Sequence, residues 1–155
     1  MRFLVVGGVA VVMHGYLRTT LDLDLVVQLE EKNLRRALEV LSNMGMQPRP
    51  PVPLLSFADP TQRRQWVHEK NMKVFSLWHP QKSALEVDLF VEEPFDFDSV
   101  YARSAPVPLE AGGTPIRLIG VRDLIAMKQA VGRHRDLDDI EALEALQAES
   151  NEPEP

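Results

Sequence analysis

The chain alternates short apolar runs with longer stretches in which apolar residues recur every three or four positions. Residues 2–6 (Arg-Phe-Leu-Val-Val) predict a strand, Gly7-Gly8 a turn, and Val9 to Gly15 a short helix closed by glycine, although Val9, Val11 and Val12 individually favour strands. Asp22 to Val27 predicts a second strand. From Glu30 to Met44, Leu34, Leu38 and Leu41 recur at helical spacing, and Gly45 stands at the C-terminal cap. Gln47 to Pro60 is proline-rich, and Pro50, Pro51 and Pro53 exclude a central strand, so a loop is expected. Asp59-Pro60 reads as an N-cap and first-turn proline opening a further helix. Met72 to Trp78 and Ala84 to Val91 predict a hairpin joined through His79–Ser83. Pro106 to Glu110 and Pro115 to Ile119 predict a shorter hairpin around Gly112-Gly113. Val121 to Val131 and Asp136 to Gln147 predict two closing helices. Residues 149–155 are acidic and proline-rich, which predicts a disordered tail. There is no internal repeat. These elements describe an α/β (α+β) chain with one expected domain over residues 1–148.

Composition narrows the function classes. The 155 residues are 45% hydrophobic and 26% charged, as in a soluble globular domain. Absence of cysteine excludes a disulfide framework and a thiolate metal site and fits a reducing, cytoplasmic setting. A net charge of -6 argues against a broad non-specific nucleic-acid surface, though not against a local basic patch. The apolar run Phe3–Met13 follows a single basic residue, is broken by Gly7-Gly8 and is too short to span a bilayer, so it reads as a buried strand entering a helix rather than a signal or membrane segment.

The candidate chemistry begins at Asp22-Leu23-Asp24. Residues two apart on a strand point to one face, so both carboxylates project together while Leu23 and Leu25 enter the core. Two like charges on one face raise each other's pKa unless a cation lies between them. Magnesium accepts carboxylate oxygens together with substrate phosphates. Asp-x-Asp occurs three times, at 22/24, 96/98 and 136/138. The second reads as a solvated loop or helix start, and the third lies at a helix start, where residues two apart do not share a face. The first alone follows a glycine turn and helix onto a strand. A third carboxylate is expected from Leu85–Phe90, where Asp88 is the choice and Glu86 the near alternative.

This pattern of Gly7-Gly8, Asp22-x-Asp24 and Asp88 resembles the nucleotidyltransferase superfamily typified by DNA polymerase beta. A closer likeness is to minimal abortive-infection (AbiEii-like) toxin nucleotidyltransferases. It is carried by Gly7-Gly8, His14-Gly15, the run Arg18-Thr19-Thr20-Leu21-Asp22-Leu23-Asp24, Lys128, and Arg133-His134-Arg135-Asp136-Leu137-Asp138-Asp139. The order holds over nearly the whole chain. Two departures stand out: superfamily members often carry Gly-Ser where this chain has Gly7-Gly8, and they often have a helix before the first strand.

The resemblance implies a mixed twisted sheet with flanking helices. It implies a transferase that moves a nucleoside monophosphate from a nucleoside triphosphate to a hydroxyl on RNA, protein or a small molecule. Asp22, Asp24 and Asp88 would be catalytic and would hold two Mg2+ (or Mn2+) ions. Gly7, Gly8, Arg18, Thr19, Lys128, Asp136 and Asp139 would serve nucleotide binding, with Thr20 also near the threonine position. Asp136 or Asp139 would position Lys128 or cap the last helix. An antitoxin partner and an oligomer are both compatible with it; a membrane partner is not expected. Two rival readings remain at this stage: a silent nucleotide-binding or assembly module of the same fold, and an interaction domain whose acids are coincidental. His14, His68, His79 and His134 share no metal spacing, and His14 reads as a packing or hydrogen-bonding residue.

Overall fold

A computed structural model describes residues 1–110 and 113–150. Among these residues the chain builds one seven-stranded sheet and six α-helices. The strands are β1 (Phe3–Val5), β2 (Asp22–Val27), β3 (Gln47–Pro48), β4 (Val74–His79), β5 (Lys82–Phe90), β6 (Ala105–Val107) and β7 (Ile116–Leu118). The helices are α1 (Gly7–Met13), α2 (Glu31–Asn43), α3 (Pro60–Lys70), α4 (Phe97–Arg103), α5 (Val121–Val131) and α6 (His134–Ser150).

The sheet order is β3-β4-β5-β2-β1-β7-β6. It is mixed: β2 runs parallel to β5 and β1 to β7, while the β1–β2, β3–β4, β4–β5 and β6–β7 pairs are antiparallel. Two hydrophobic clusters lie on its two faces. On one, α2 and α3 bring Leu34, Leu38 and Trp66 against Phe75, Leu77, Val87 and Leu89. Trp66 stacks on Phe75 with centroids 5.4 Å apart, so this tryptophan is a core residue. On the other, Leu4, Val6 and Val26 pack with α1, α4, α5 and α6 through Ala10, Val11, Val100, Leu124 and Leu143. The period-two alternation of β2, β4 and β5 sends odd-numbered apolar residues to the first cluster and Asp22, Asp24, Ser76, Trp78, Glu86 and Asp88 to the opposite face.

Several expectations shift. The first helix starts at Gly7 instead of Val9, so the diglycine is itself the first helical turn. The expected loop at Gln47–Pro60 contains a two-residue strand at the sheet edge, where proline costs no ladder bond, and a 3₁₀ turn at Leu54–Ala58. The His79–Ser83 loop tightens to Pro80-Gln81, because His79 and Lys82 are already paired strand residues. Asp96 caps α4, accepting from the Ser99 N–H at 2.9 Å, which selects the helix start from the two readings of that Asp-x-Asp. The last helix starts at His134 and runs through Ser150, past the start expected for the tail. The end of that tail and Gly112 of the second hairpin lie outside the described residues.

Candidate active site

The site is assembled by register. In the parallel β2–β5 pair, Asp22 lies opposite Glu86 and Asp24 opposite Asp88. Ligand oxygens of Asp22, Asp24 and Asp88 all fall within 4.8 Å of one another. Glu86, the alternative third acid, is held away by Arg49, which binds it through two nitrogens at 2.5 and 3.1 Å. That guanidinium keeps the Glu86 carboxyl below its ordinary pKa.

Burial and mutual repulsion act on the trio. Burial, then the charges of Asp22 and Asp88, push the Asp24 carboxyl from 3.8 up to about 6, against a hydrogen bond from the Gly8 backbone and the charge of Lys128. Asp88 is also raised, first by burial; a hydrogen bond with Ser76 opposes this, and Asp22 and Glu86 add to it. Its Oδ1 is buried without a hydrogen-bond partner. An orphaned carboxylate oxygen between two further carboxylates is the donor set that a hard, oxygen-preferring cation fits.

The glycines are tied to this geometry. Gly7 adopts φ +61°, and a Cβ there would overlap the Asp24 carboxylate. A Cβ on Gly8 would collide with Thr20 Oγ1 and come within 2.9 Å of an Arg18 nitrogen. Only a bare backbone fits both places.

Opposite the acids stands a buried cationic network. Lys128, 6% exposed, donates from Nζ to Asp136 at 3.1 Å and Asp139 at 2.6 Å. Asp139, wholly buried, also pairs with Arg18 at 2.7 Å. Asp136 accepts from the Arg133 backbone N–H and side chain at 3.2 and 2.9 Å. Burial raises the Asp136 pKa, but the hydrogen bonds from Arg133 and Lys128 together outweigh it and hold the group below its ordinary value. Arg135 donates to the Thr19 carbonyl, fixing the loop before β2 onto α6.

Between the two halves lies a cleft of about 190 Å³ lined by Gly7, Gly8, Arg18, Thr20, Asp22, Asp24, Lys128, Arg133, Arg135 and Asp136. Of the residues expected to serve nucleotide binding, Gly7, Gly8, Arg18, Lys128 and Asp136 line this cleft. Asp139 sits behind the cleft as the anchor of Arg18 and Lys128. Thr19 is exposed and offers only its carbonyl, while its neighbour Thr20 faces the cleft. Sequence reasoning missed Ser76, which partners Asp88 across the β4–β5 ladder; only the register reveals it. Arg133 and Arg135, which in the sequence only carried the likeness, also line the cleft. His14 is a hydrogen-bonding residue, with Nε2 2.8 Å from the Ile119 carbonyl. A wholly apolar groove of about 310 Å³, lined by Phe3, Leu23, Leu25, Leu85 and Val87, lies on the other face and contains no acid or base.

A mixed sheet presenting three acids beside a glycine turn and facing a cationic cleft defines a nucleotidyltransferase-like protein. Residues 1–150 match the family described as Nucleotidyltransferase of unknown function (DUF6036), and the chain belongs to that family. No curated protein matches the chain. Among the described residues, no helix is long and apolar enough to cross a membrane.

Proposed function

We propose that the chain transfers a nucleoside monophosphate from a nucleoside triphosphate to a hydroxyl, releasing pyrophosphate. The observation that carries this reading is the convergence of Asp22, Asp24 and Asp88 within 4.8 Å, beside a glycine turn and opposite Lys128, Arg18 and Arg133. Asp22, Asp24 and Asp88 would hold two divalent ions, Mg2+ or Mn2+. When bound, such ions neutralise phosphate charge and the negative charge that develops on the attacking and leaving oxygens.

The chain's own groups do the rest. Lys128, Arg18 and Arg133 face the triphosphate with positive charge in a partly dry cleft, where such charge counts for most. The Gly7-Gly8 backbone lets phosphates approach closely. The polar, charged lining of the cleft suits the phosphates of the triphosphate. Asp88, with its unpartnered Oδ1, accepts the proton of the acceptor hydroxyl. The acceptor oxygen then bonds to the α-phosphorus as the bond to the pyrophosphate oxygen breaks.

The likeness in the Arg18–Asp24 run, Lys128 and the Arg133–Asp139 segment extends the proposal to a cytoplasmic toxin controlled by an antitoxin. The test is transfer of label from α-labelled triphosphates, with Mg2+ or Mn2+, to cell RNA, protein and small molecules. Labelling lost in Asp24→Ala supports the enzyme. Mg2+-dependent nucleotide binding without transfer to any acceptor pool would instead establish the silent binding module.

A further inference from the structure

On the acid-bearing face of the sheet, the cluster formed with α1, α4, α5 and α6 includes no residue of β4. Beyond Asp88, on β4, the residues on that face stay half-exposed: Val74, Ser76 and Trp78 alternate with buried Phe75, Leu77 and His79. Ser76 lies opposite Asp88 and Trp78 opposite Glu86. Trp78 is therefore the diagonal neighbour of Asp88, about 7–8 Å away between strands. Arg49, following β3, places its guanidinium 5.7 Å from the Trp78 ring centroid while Glu86 holds it in both directions. Its side chain is still 52% exposed.

A half-exposed indole with a clamped guanidinium against it, one strand from the proposed general base, is more than hairpin packing requires. The other tryptophan, Trp66, shows the packing alternative, being buried and stacked in the core. Planar π surfaces of this kind stack nucleobases with little regard to sequence, and arginine planes do the same. We infer that Trp78 and Arg49 form the acceptor platform, on which the terminal base of a single-stranded RNA stacks so that its ribose hydroxyl reaches Asp88. This rests on the transferase reading and names its substrate class. The net charge of -6 shapes the mode of binding: the surface does not follow a long phosphate backbone, so contact is confined to the RNA end, with Arg49 as the cation beside it.

The test uses the intact chain and a short oligoadenylate with a free 3′ hydroxyl. The expected result is quenching of tryptophan emission on titration, lost in Trp78→Phe, which retains only Trp66. Affinity measured by anisotropy of a 5′-labelled RNA should fall about tenfold or more in Trp78→Ala, with the Mg2+–ATP thermal shift unchanged; Arg49→Gln should lower the RNA affinity too. The slope of log affinity against log salt should be about 0.7 in magnitude, the value for about one phosphate contact on a single strand. Quenching that persists in Trp78→Phe overturns the proposal. So does a salt slope of several phosphates, or quenching by peptides or cationic small molecules but not by RNA. RNA binding through Trp78 without any nucleotidyl transfer would retain the platform and remove the transferase. Transfer to RNA at an unchanged KM in Trp78→Ala would do the reverse.

Discussion

Replacing Asp24 with asparagine should stabilise the ion-free protein, and the effect has a defined sign and pH window. The Asp24 carboxyl is raised from 3.8 to about 6, chiefly by burial and then by Asp22 and Asp88. An acid with a raised pKa favours folding in its protonated form. That contribution is fully present below the ordinary value and is lost as pH rises through the folded value. A rise from 3.8 to about 6 corresponds to about 3 kcal/mol. For a chain of this size 1 kcal/mol moves Tm by about 2–4 °C, so full relief approaches 6–12 °C. Asparagine keeps a carbonyl for the Gly8 N–H and removes only the charge. The assay is thermal unfolding in chelator from pH 4 to 7.5. The Asn variant should match wild type near pH 4 and pull ahead by at least about 3 °C above pH 6, with the gap opening between those limits. Adding Mg2+ should then raise wild type, by about 2.7 kcal/mol at one hundred times its dissociation constant, and leave the variant nearly unmoved. A gap that is flat with pH, or an Asn variant less stable at pH 7.5, would refute the view that the acids repel one another across an ion site.

Further outcomes follow from the same geometry. Glu86→Gln should keep the full Mg2+ stabilisation while Asp88→Asn loses it, because Arg49 already engages Glu86; calorimetry or thermal shift reads this directly. Lys128→Met should cost about 3 kcal/mol in urea unfolding, the lower end for breaking a buried pair, since Asp139 keeps Arg18 and Asp136 keeps Arg133. Gly7→Ala should abolish the Mg2+ shift and lower stability by at least the 1–2 kcal/mol of a left-handed alanine. Inorganic tripolyphosphate with Mg2+ should reproduce most of the thermal shift produced by ATP, because the charged groups that line the cleft match phosphates.

The period-two rule made Asp22, Asp24 and Asp88 legible as a set, because each lies on a strand whose alternate residues are apolar. It could not supply the β2–β5 register, and hence kept Glu86 as a near alternative to Asp88; Arg49, distant in sequence, engages Glu86 and leaves Asp88 with the other two acids. Lys128 was readable as a cation on a half-buried helix. That it is one member of a network joining Arg18, Asp136 and Asp139 depends on how α6 crosses α5, which no local pattern encodes. Thr19 and Thr20 were inseparable in sequence, since a one-residue offset in an irregular loop reverses which hydroxyl faces inward. Helix α4 escaped a firm assignment because its seven residues carry too little periodicity to register. Where caps are explicit, as at Asp59 before Pro60, the boundary was found to the residue.

The pairing of β2 with β5 has a consequence for how the protein comes into being. Asp22 and Asp24 leave the ribosome long before Asp88, and the buried lysine and its two aspartates later still. Synthesis proceeds at about 5–20 residues per second, so a nascent chain spends seconds with its first two acids exposed and chemically idle. Arg135 and Asp136, the last residues to line the cleft, arrive only with the final helix. On the proposed transferase reading, the order of translation is thereby a safeguard, because the cleft is complete only after its last lining residues have been made.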